Sequence, residues 1–313
     1  MKSYTLIAPA KINLYLEIVG DRPDGFHELV MILQSIELAD RIAITPNKIP
    51  AFRVRCDRQE LTNEKENLAY KAAQLMRQAF PEAFANWGGA DIFIEKRIPI
   101  AAGLAGGSTD AAAVLVGLDL MWNLGLTKPE LQDLGAQLGS DIPFCVLGGT
   151  AIATGRGEIL DSIASLHSLW VVLAKSENLA VSTPWAYKTY RQQFGHTYIQ
   201  DEEAMKSRAR ELHSSALMDA IAHNDGANIA RNLYNDLEKA VLPEHPQVQK
   251  LKEAFQNAAV LGTMMSGSGP TVFALCESLE EAERVKAKVQ AEMDDPAIGF
   301  WITQFSGHGI SIQ

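Results

Sequence analysis

Three short stretches of the chain hold residue types that could do chemistry. "PAKINLYLEI" (9–18) sets Lys11 and Asn13 two residues apart in an alternating run. "GSDIPF" (139–144) puts Asp141 at a helix start, where it is either an acid that favours the helix dipole or a general base. Between them, "RIPIAAGLAGGSTDAAAVL" (97–115) has almost no side chains able to hold a ligand. What it can offer is backbone. Glycine permits positive φ and lets a ligand approach the main chain, and the first turn of a helix leaves N–H groups free. Such a strand-to-helix loop suits phosphates, with Ser108 and Thr109 expected to cap the helix that follows. The plainer alternatives are a steric turn for the loop and a solvated strand-face charge for Lys11.

Two further stretches carry weaker signals. In "DGFHEL" (24–29), Phe26 and His27 follow a turn, as core plus a satisfied polar group or as a stacking platform with a hydrogen-bonding edge. "MSGSGPTVF" (265–273) is a second glycine-rich turn, either a tight hairpin or part of a site.

The familiar nucleotide fingerprints are absent. Gly106–Gly107 is followed by Ser108 and not by lysine, so there is no P-loop. No G-x-G-x-x-G opens a helix, and no H-R-D catalytic loop occurs.

The elements that must position these residues read as α+β. Ile12, Leu14, Leu16 and Ile18 alternate with Lys11, Asn13, Tyr15 and Glu17, the pattern of one half-buried strand. Strands are expected at 29–36, 41–45, 51–56 and in "ADIFIEK". Leu68, Ala72, Leu75, Met76 and Ala79 recur at helical spacing, with Thr62 or Asn63 as N-cap. Residues 111–121 read as a buried helix, and Thr127 with Glu130 as a capping box. Short strands around 155–157 and at 170–175 precede a helical stretch over 202–258. From Gly262 the pattern is strand, strand, helix, strand. The length of 313 residues suggests two domains, divided near 160–180 and set at 1–165 and 166–313.

The formal net charge of -10 argues against a nucleic-acid binder, and no apolar run is long enough to span a membrane. The N-terminus lacks a signal or transit pattern, so a cytoplasmic protein is expected. Cys56, Cys145 and Cys276 show no metal-ligand spacing and read as reduced, buried small residues.

Taken in order, "PAKINLYLEI", "PIAAGLAGGSTDAAA", "GSDIPF" and "GSGPTVF" closely resemble the GHMP family of small-molecule kinases, from Ala8 to about Cys276. "GDRPDGFHEL" narrows the resemblance to the branch whose acceptor carries a cytidyl diphosphate. The other readings are a homoserine or mevalonate kinase, or a non-catalytic sensor on the same fold. The resemblance implies a ribosomal-S5-like N-terminal domain and a ferredoxin-like C-terminal α+β domain. It implies ATP with Mg²⁺ as cofactors, with the metal's protein ligands unassigned. The nucleotide would be held by Pro99, Gly103, Leu104, Ala105, Gly106, Gly107, Ser108 and Thr109, with Asn67 and Lys96 near the adenine and Ser108 near the phosphates or Mg²⁺. Asp141 would accept the acceptor's proton, beside Lys11. Asn13, Phe26, His27, Tyr187, Gly267 and Gly269 would hold the acceptor, a small molecule taken up by a monomer or weak homodimer. The family loop usually has glycine where this chain has Ala101, and often where it has Ala105.

Overall fold

The structure, a computed structural model, describes residues 2–58 and 66–313. Thr62 and Asn63, the expected N-cap candidates, lie outside the described residues; the cap of the first helix is Asn67, whose Oδ1 accepts from the Ala69 amide. In chain order the elements begin with β1 (Tyr4–Asp21), β2 (His27–Pro46), β3 (Arg53–Cys56), α1 (Leu68–Ala79), α2 (Pro81–Trp87), β4 (Ala90–Glu95), α3 (Gly106–Trp122), α4 (Lys128–Ala136), α5 (Ile142–Leu147), β5 (Thr150–Gly155) and β6 (Ile159–Ser162). They continue with β7 (Trp170–Ser176), α6 (Thr183–Phe194), α7 (Glu202–His213), α8 (Ala216–Ala222), α9 (Gly226–Arg231), β8 (Tyr234–Asn235), α10 (Glu238–Glu244) and α11 (Pro246–Asn257), then β9 (Gly262–Met265), β10 (Val272–Cys276), α12 (Leu279–Met293), β11 (Ile298–Gln304) and β12 (Ser311–Ile312).

Two sheets organise this α+β fold. The first runs β12-β1-β2-β4-β3, with β5 and β6 continuing from β2 and β8 joining β1 in parallel. The second is antiparallel, in the order β11-β7-β10-β9. The two strands expected at 29–36 and 41–45 are one strand, β2. Ala10 pairs with Ile36 and Pro9 with Ala39, so an irregularity absorbs Glu37 and Leu38 and pairing resumes. The chain also returns late to the first sheet, where Leu6 pairs with Ile312.

Helix α3 is alanine-, leucine- and valine-rich and buried along most of its length against β1, β2 and α1. Gly117 lets it approach closely: a Cβ there would lie 2.3 Å from Ile44 Cδ1 and 2.6 Å from Leu6 Cδ1. This packing fixes the N-terminus of α3, and so the loop before it. The Thr127–Glu130 capping box opens α4 with both reciprocal bonds made. The three cysteines are free; Cys145 and Cys276 are buried as expected, whereas Cys56, on the edge strand β3, is only half-buried. Among the described residues no helix is long and apolar enough to cross a membrane.

Candidate active site

A cavity of about 770 Å³ opens between β1, the β1–β2 turn, the 97–105 loop with the start of α3, Asp141, α6 and the 267–268 turn. It gathers most of the residues expected from sequence: Lys11, Asn13, Phe26, His27, Asn67, Lys96, Pro99, Gly103, Ala105, Gly106, Gly107, Ser108, Asp141, Tyr187 and Gly267. Three others do not line it. Leu104 is buried in the core and reaches the site only through its carbonyl, which accepts from the Lys11 amide at 3.1 Å. Thr109 lies inside α3, fully buried. Gly269 packs toward Met265, whose Sδ lies 2.5 Å from where a Cβ would stand.

Lys11 is not the solvated residue that simple alternation allows. It is 5% exposed and Asn13 1%. Strand β1 is buried on both faces from Ala8 to Leu14, and a β-bulge then changes which residues share a face. Asn13 pairs with Leu33 but Tyr15 with Ile32, so Leu14 is the extra residue and the alternation flips there. Leu16 therefore shares the cavity with Lys11 and Asn13, while Ile12 and Leu14 pack in a separate core cluster. Lys11 Nζ donates to Asn13 Oδ1 at 2.8 Å and stands 3.7 Å from Asp141 Oδ2. Asp141 precedes α5, but its side chain makes no capping bond, so the carboxylate is free to face a ligand.

The loop departs from expectation in an informative way. Gly103 has φ +76°, and the positive φ values on either side of it belong to Ala101 (+50°) and Ala105 (+58°). Gly106 and Gly107 are already helical, as are Ser108 and Thr109, which therefore do not cap α3. The N-cap is Ala105, with no side-chain acceptor. The first-turn amides of α3 are thus left for an outside acceptor, which is what an anion site needs. Gly107 keeps the approach open: a Cβ there would meet only Leu68 Cδ1, at 3.6 Å.

Behind the loop, Lys96 Nζ is buried between Asp40 and Asp110, 2.8 Å from Asp110 Oδ2, and bonded to the Gly106 carbonyl at 3.4 Å. Burial alone would lower the lysine's pKa; the two carboxylates outweigh it and raise it. Burial pushes the Asp110 carboxyl up against the pull of the Lys96 charge.

At the other end, the His27 ring lies 5.1 Å from Tyr187, tilted, and 5.9 Å from Tyr198, edge on. Burial, with help from the Arg191 charge and against Asp21, lowers the imidazole's pKa and keeps it neutral near pH 7. Phe26 is half exposed, with the Arg156 guanidinium 4.9 Å from its ring centroid. Arg191 holds the turn in place through Asp21 (2.8 Å) and the Gly25 carbonyl (3.1 Å). Thr183 and Ser268 hydroxyls meet at 2.8 Å across the cavity floor.

The N-terminal domain description of the GHMP kinases matches residues 67–149 and the C-terminal one matches residues 217–295. The chain belongs to the GHMP kinases. It is 60% identical over 313 residues to a 4-diphosphocytidyl-2-C-methyl-D-erythritol kinase of Gloeothece citriformis, covering 100% of this chain and 99% of that one. A kinase of the same description from Synechocystis is 58% identical over 312 residues, with 100% and 99% covered. Among solved structures, a 4-(cytidine 5'-diphospho)-2C-methyl-D-erythritol kinase superposes with a TM-score of 0.75 at 30% identity, covering 97% of this chain and 100% of that one. A homoserine kinase from Cytophaga hutchinsonii shares the fold at TM-score 0.74 and 18% identity, with 100% and 98% covered.

Sequence reasoning missed several residues of this GHMP kinase cavity, Thr183, Ser268, Arg156, Arg191 and Asp110, and the buried Asp40 behind Lys96. Two had local signals: Thr183, since Ser182 caps α6 and Pro184 stands in its first turn, and Ser268, which stands between Gly267 and Gly269 in the second glycine-rich turn. The others are surface charges or buried acids in sequence, and nothing local says which partner they meet.

Proposed function

We propose that this GHMP kinase transfers the γ-phosphoryl group of ATP to a hydroxyl of 4-diphosphocytidyl-2-C-methyl-D-erythritol, in the non-mevalonate route to isoprenoid precursors. The observation that carries the reading is one continuous cavity with three chemically distinct parts: an uncapped helix start, the Lys11–Asp141 pair, and the aromatic end formed by Phe26, His27 and Tyr187. The names of the 55–60% identical relatives support the same acceptor.

In this reading the phosphates lie on the amides at 106–108. Gly267, with φ +57°, lets the second glycine-rich turn close over them and over Asn13. Asp141 accepts the proton of the acceptor hydroxyl as its oxygen attacks the γ-phosphorus and ADP leaves. Lys11 offsets the charge that develops on the transferring group, and Asn13 orients the lysine. The cytosine stacks on the aromatic end, and neutral His27, whose Nε2 is buried, offers the base edge its Nδ1.

Mg²⁺ would come on the nucleotide and neutralise phosphate charge. Among the described residues no group of three or more His, Cys, Asp or Glu side chains could hold a metal. That fits an ion carried by phosphates, which needs only one or two protein oxygens; Ser108 at the helix start offers one. The reading extends to a nucleotide-binding and catalytic unit over 1–165, a substrate-binding unit over 166–313, and a cytoplasmic monomer or weak homodimer.

An ADP-release assay with three acceptors tests it. The cytidyl diphosphate substrate should support turnover, and homoserine and mevalonate should not. Turnover with either of these, or with none of the three, would overturn the proposal.

A further inference from the structure

We infer that Asp40, Lys96 and Asp110 are positioning residues for the nucleotide, bracing the phosphate loop from behind and holding Ala101 and Ala105 in the left-handed conformation that opens the helix start. The inference rests on the reading of that loop as the ATP site.

The loop contains two alanines where the backbone asks for glycine. Ala101 has φ +50° and Ala105 +58°. An L-residue in this region is strained, and such strain persists only when the surroundings fix the backbone on every side. The middle of the loop is fixed by the Ser266 hydroxyl on the Gly103 carbonyl (3.1 Å) and by the Lys11 amide on the Leu104 carbonyl (3.1 Å). Its two ends are fixed by the triplet. Asp40 Oδ1 accepts from the Arg97 amide at 2.6 Å and the Ile98 amide at 2.9 Å, at the loop's entry. Lys96 donates to Asp110 at 2.8 Å and to the Gly106 carbonyl at 3.4 Å, at its exit.

Lys96 acts from behind because it has nothing left to give a ligand. An ammonium has three donors. Asp40, Asp110 and Gly106 take all three, and the side chain is 4% exposed. The resemblance sets Lys96 near the adenine, and it does line the cavity, but its ammonium is already taken. Nor is stability a sufficient reason for the triplet, since buried ion pairs contribute little over well-packed apolar residues. What they do supply is a directional tie between two segments.

The test turns on Asp110→Ala, which cuts the tie to α3 but leaves Lys96 paired with Asp40, so no lone charge stays buried. The readouts are calorimetric binding of the β,γ-imido analogue of ATP with Mg²⁺, without acceptor, beside a melting curve. Electrostatics alone predicts unchanged or tighter binding, because an acid behind the phosphates is gone and no charge is added. The brace predicts weaker binding, by about tenfold, the scale of one alanine's aversion to the left-handed region. Adding Ala101→Gly and Ala105→Gly to Asp110→Ala should recover about threefold or more, because glycine adopts positive φ without a brace. Lys96→Met/Asp110→Ala, which leaves Asp40 on its two amides, should show the same loss and the same recovery. Unchanged or tighter binding by the variants, or a loss that the glycines do not recover, would overturn the inference while leaving the ATP site intact. Failure of the wild-type enzyme to bind the analogue would overturn the site reading and the inference with it.

Discussion

Lys11 Nζ and Asp141 Oδ2 stand 3.7 Å apart, one carried on a bulged strand and the other at the start of a short helix. The lysine is buried while the carboxylate is about one-third exposed toward the cavity. That asymmetry suits a fixed cation beside an acid that must reach a ligand's proton. Asp141→Asn keeps the shape and removes the base. The expected outcome is a fall in kcat of about 10²–10⁴-fold with nucleotide affinity nearly unchanged. Steady-state kinetics beside nucleotide titration checks this, and retention of most of the wild-type kcat would refute the assignment.

The loop glycines should separate into two classes. Gly103 has φ +76°, and a Cβ there would lie 2.2 Å from the Ser266 carbonyl oxygen. Gly103→Ala should therefore lower the melting temperature, since the left-handed conformation alone costs about 1–2 kcal/mol before the clash. Gly107 is helical, and a Cβ there would make only an ordinary contact with Leu68 Cδ1. Gly107→Val should leave folding nearly intact, at under about 1 kcal/mol of helix propensity, yet raise the nucleotide Kd sharply by blocking approach to the amides. The opposite pattern in paired melting and binding measurements would return the loop to a packing role.

Phe26 and His27 should govern acceptor choice and leave the donor alone. Stacking is worth about 1–3 kcal/mol per base. Phe26→Ala and His27→Ala should each raise the acceptor KM more than they lower kcat, with ATP KM unmoved. Replacing cytosine by uracil should penalise the wild type heavily and His27→Ala much less, because a site built to hydrogen-bond an edge rejects a mismatched one. Equal discrimination by both enzymes would show that His27 does not read the base.

The same histidine sets a pH dependence. Burial depresses its pKa below the usual 6.5, so the folded protein binds fewer protons here than the unfolded chain. Its contribution to stability is then fully present above about pH 6.5 and lost as pH falls through the lower folded value. Acceptor KM should be flat from about pH 7 upward and rise on the acid side, in step with the melting temperature, and both trends should weaken in His27→Ala. An acid-side rise that is identical in His27→Ala would assign the titration elsewhere.

Much of this protein was legible in its sequence, wherever the determining forces are local. The helical spacing over 68–79, the capping box of α4 and the strand character of 11–20 follow from periodicity and short-range hydrogen bonds, and all three are found, although α1 is capped by Asn67 and not by Thr62 or Asn63. The alanine- and glycine-rich stretch announces a backbone site because side chains are missing from it. Tertiary structure decided what periodicity cannot encode. The bulge at Leu14 brings Leu16 to the face of Lys11 and Asn13 although alternation separates it from them, and only pairing with β2 reveals it. Whether glycine or alanine takes the positive φ in the loop depends on what clamps the loop, and the clamps come from β2, β4, α3 and the 266–269 turn. Asp40, Lys96 and Asp110 carry no mark of their meeting, because a charge in sequence is a solvated charge until the fold takes water away from it.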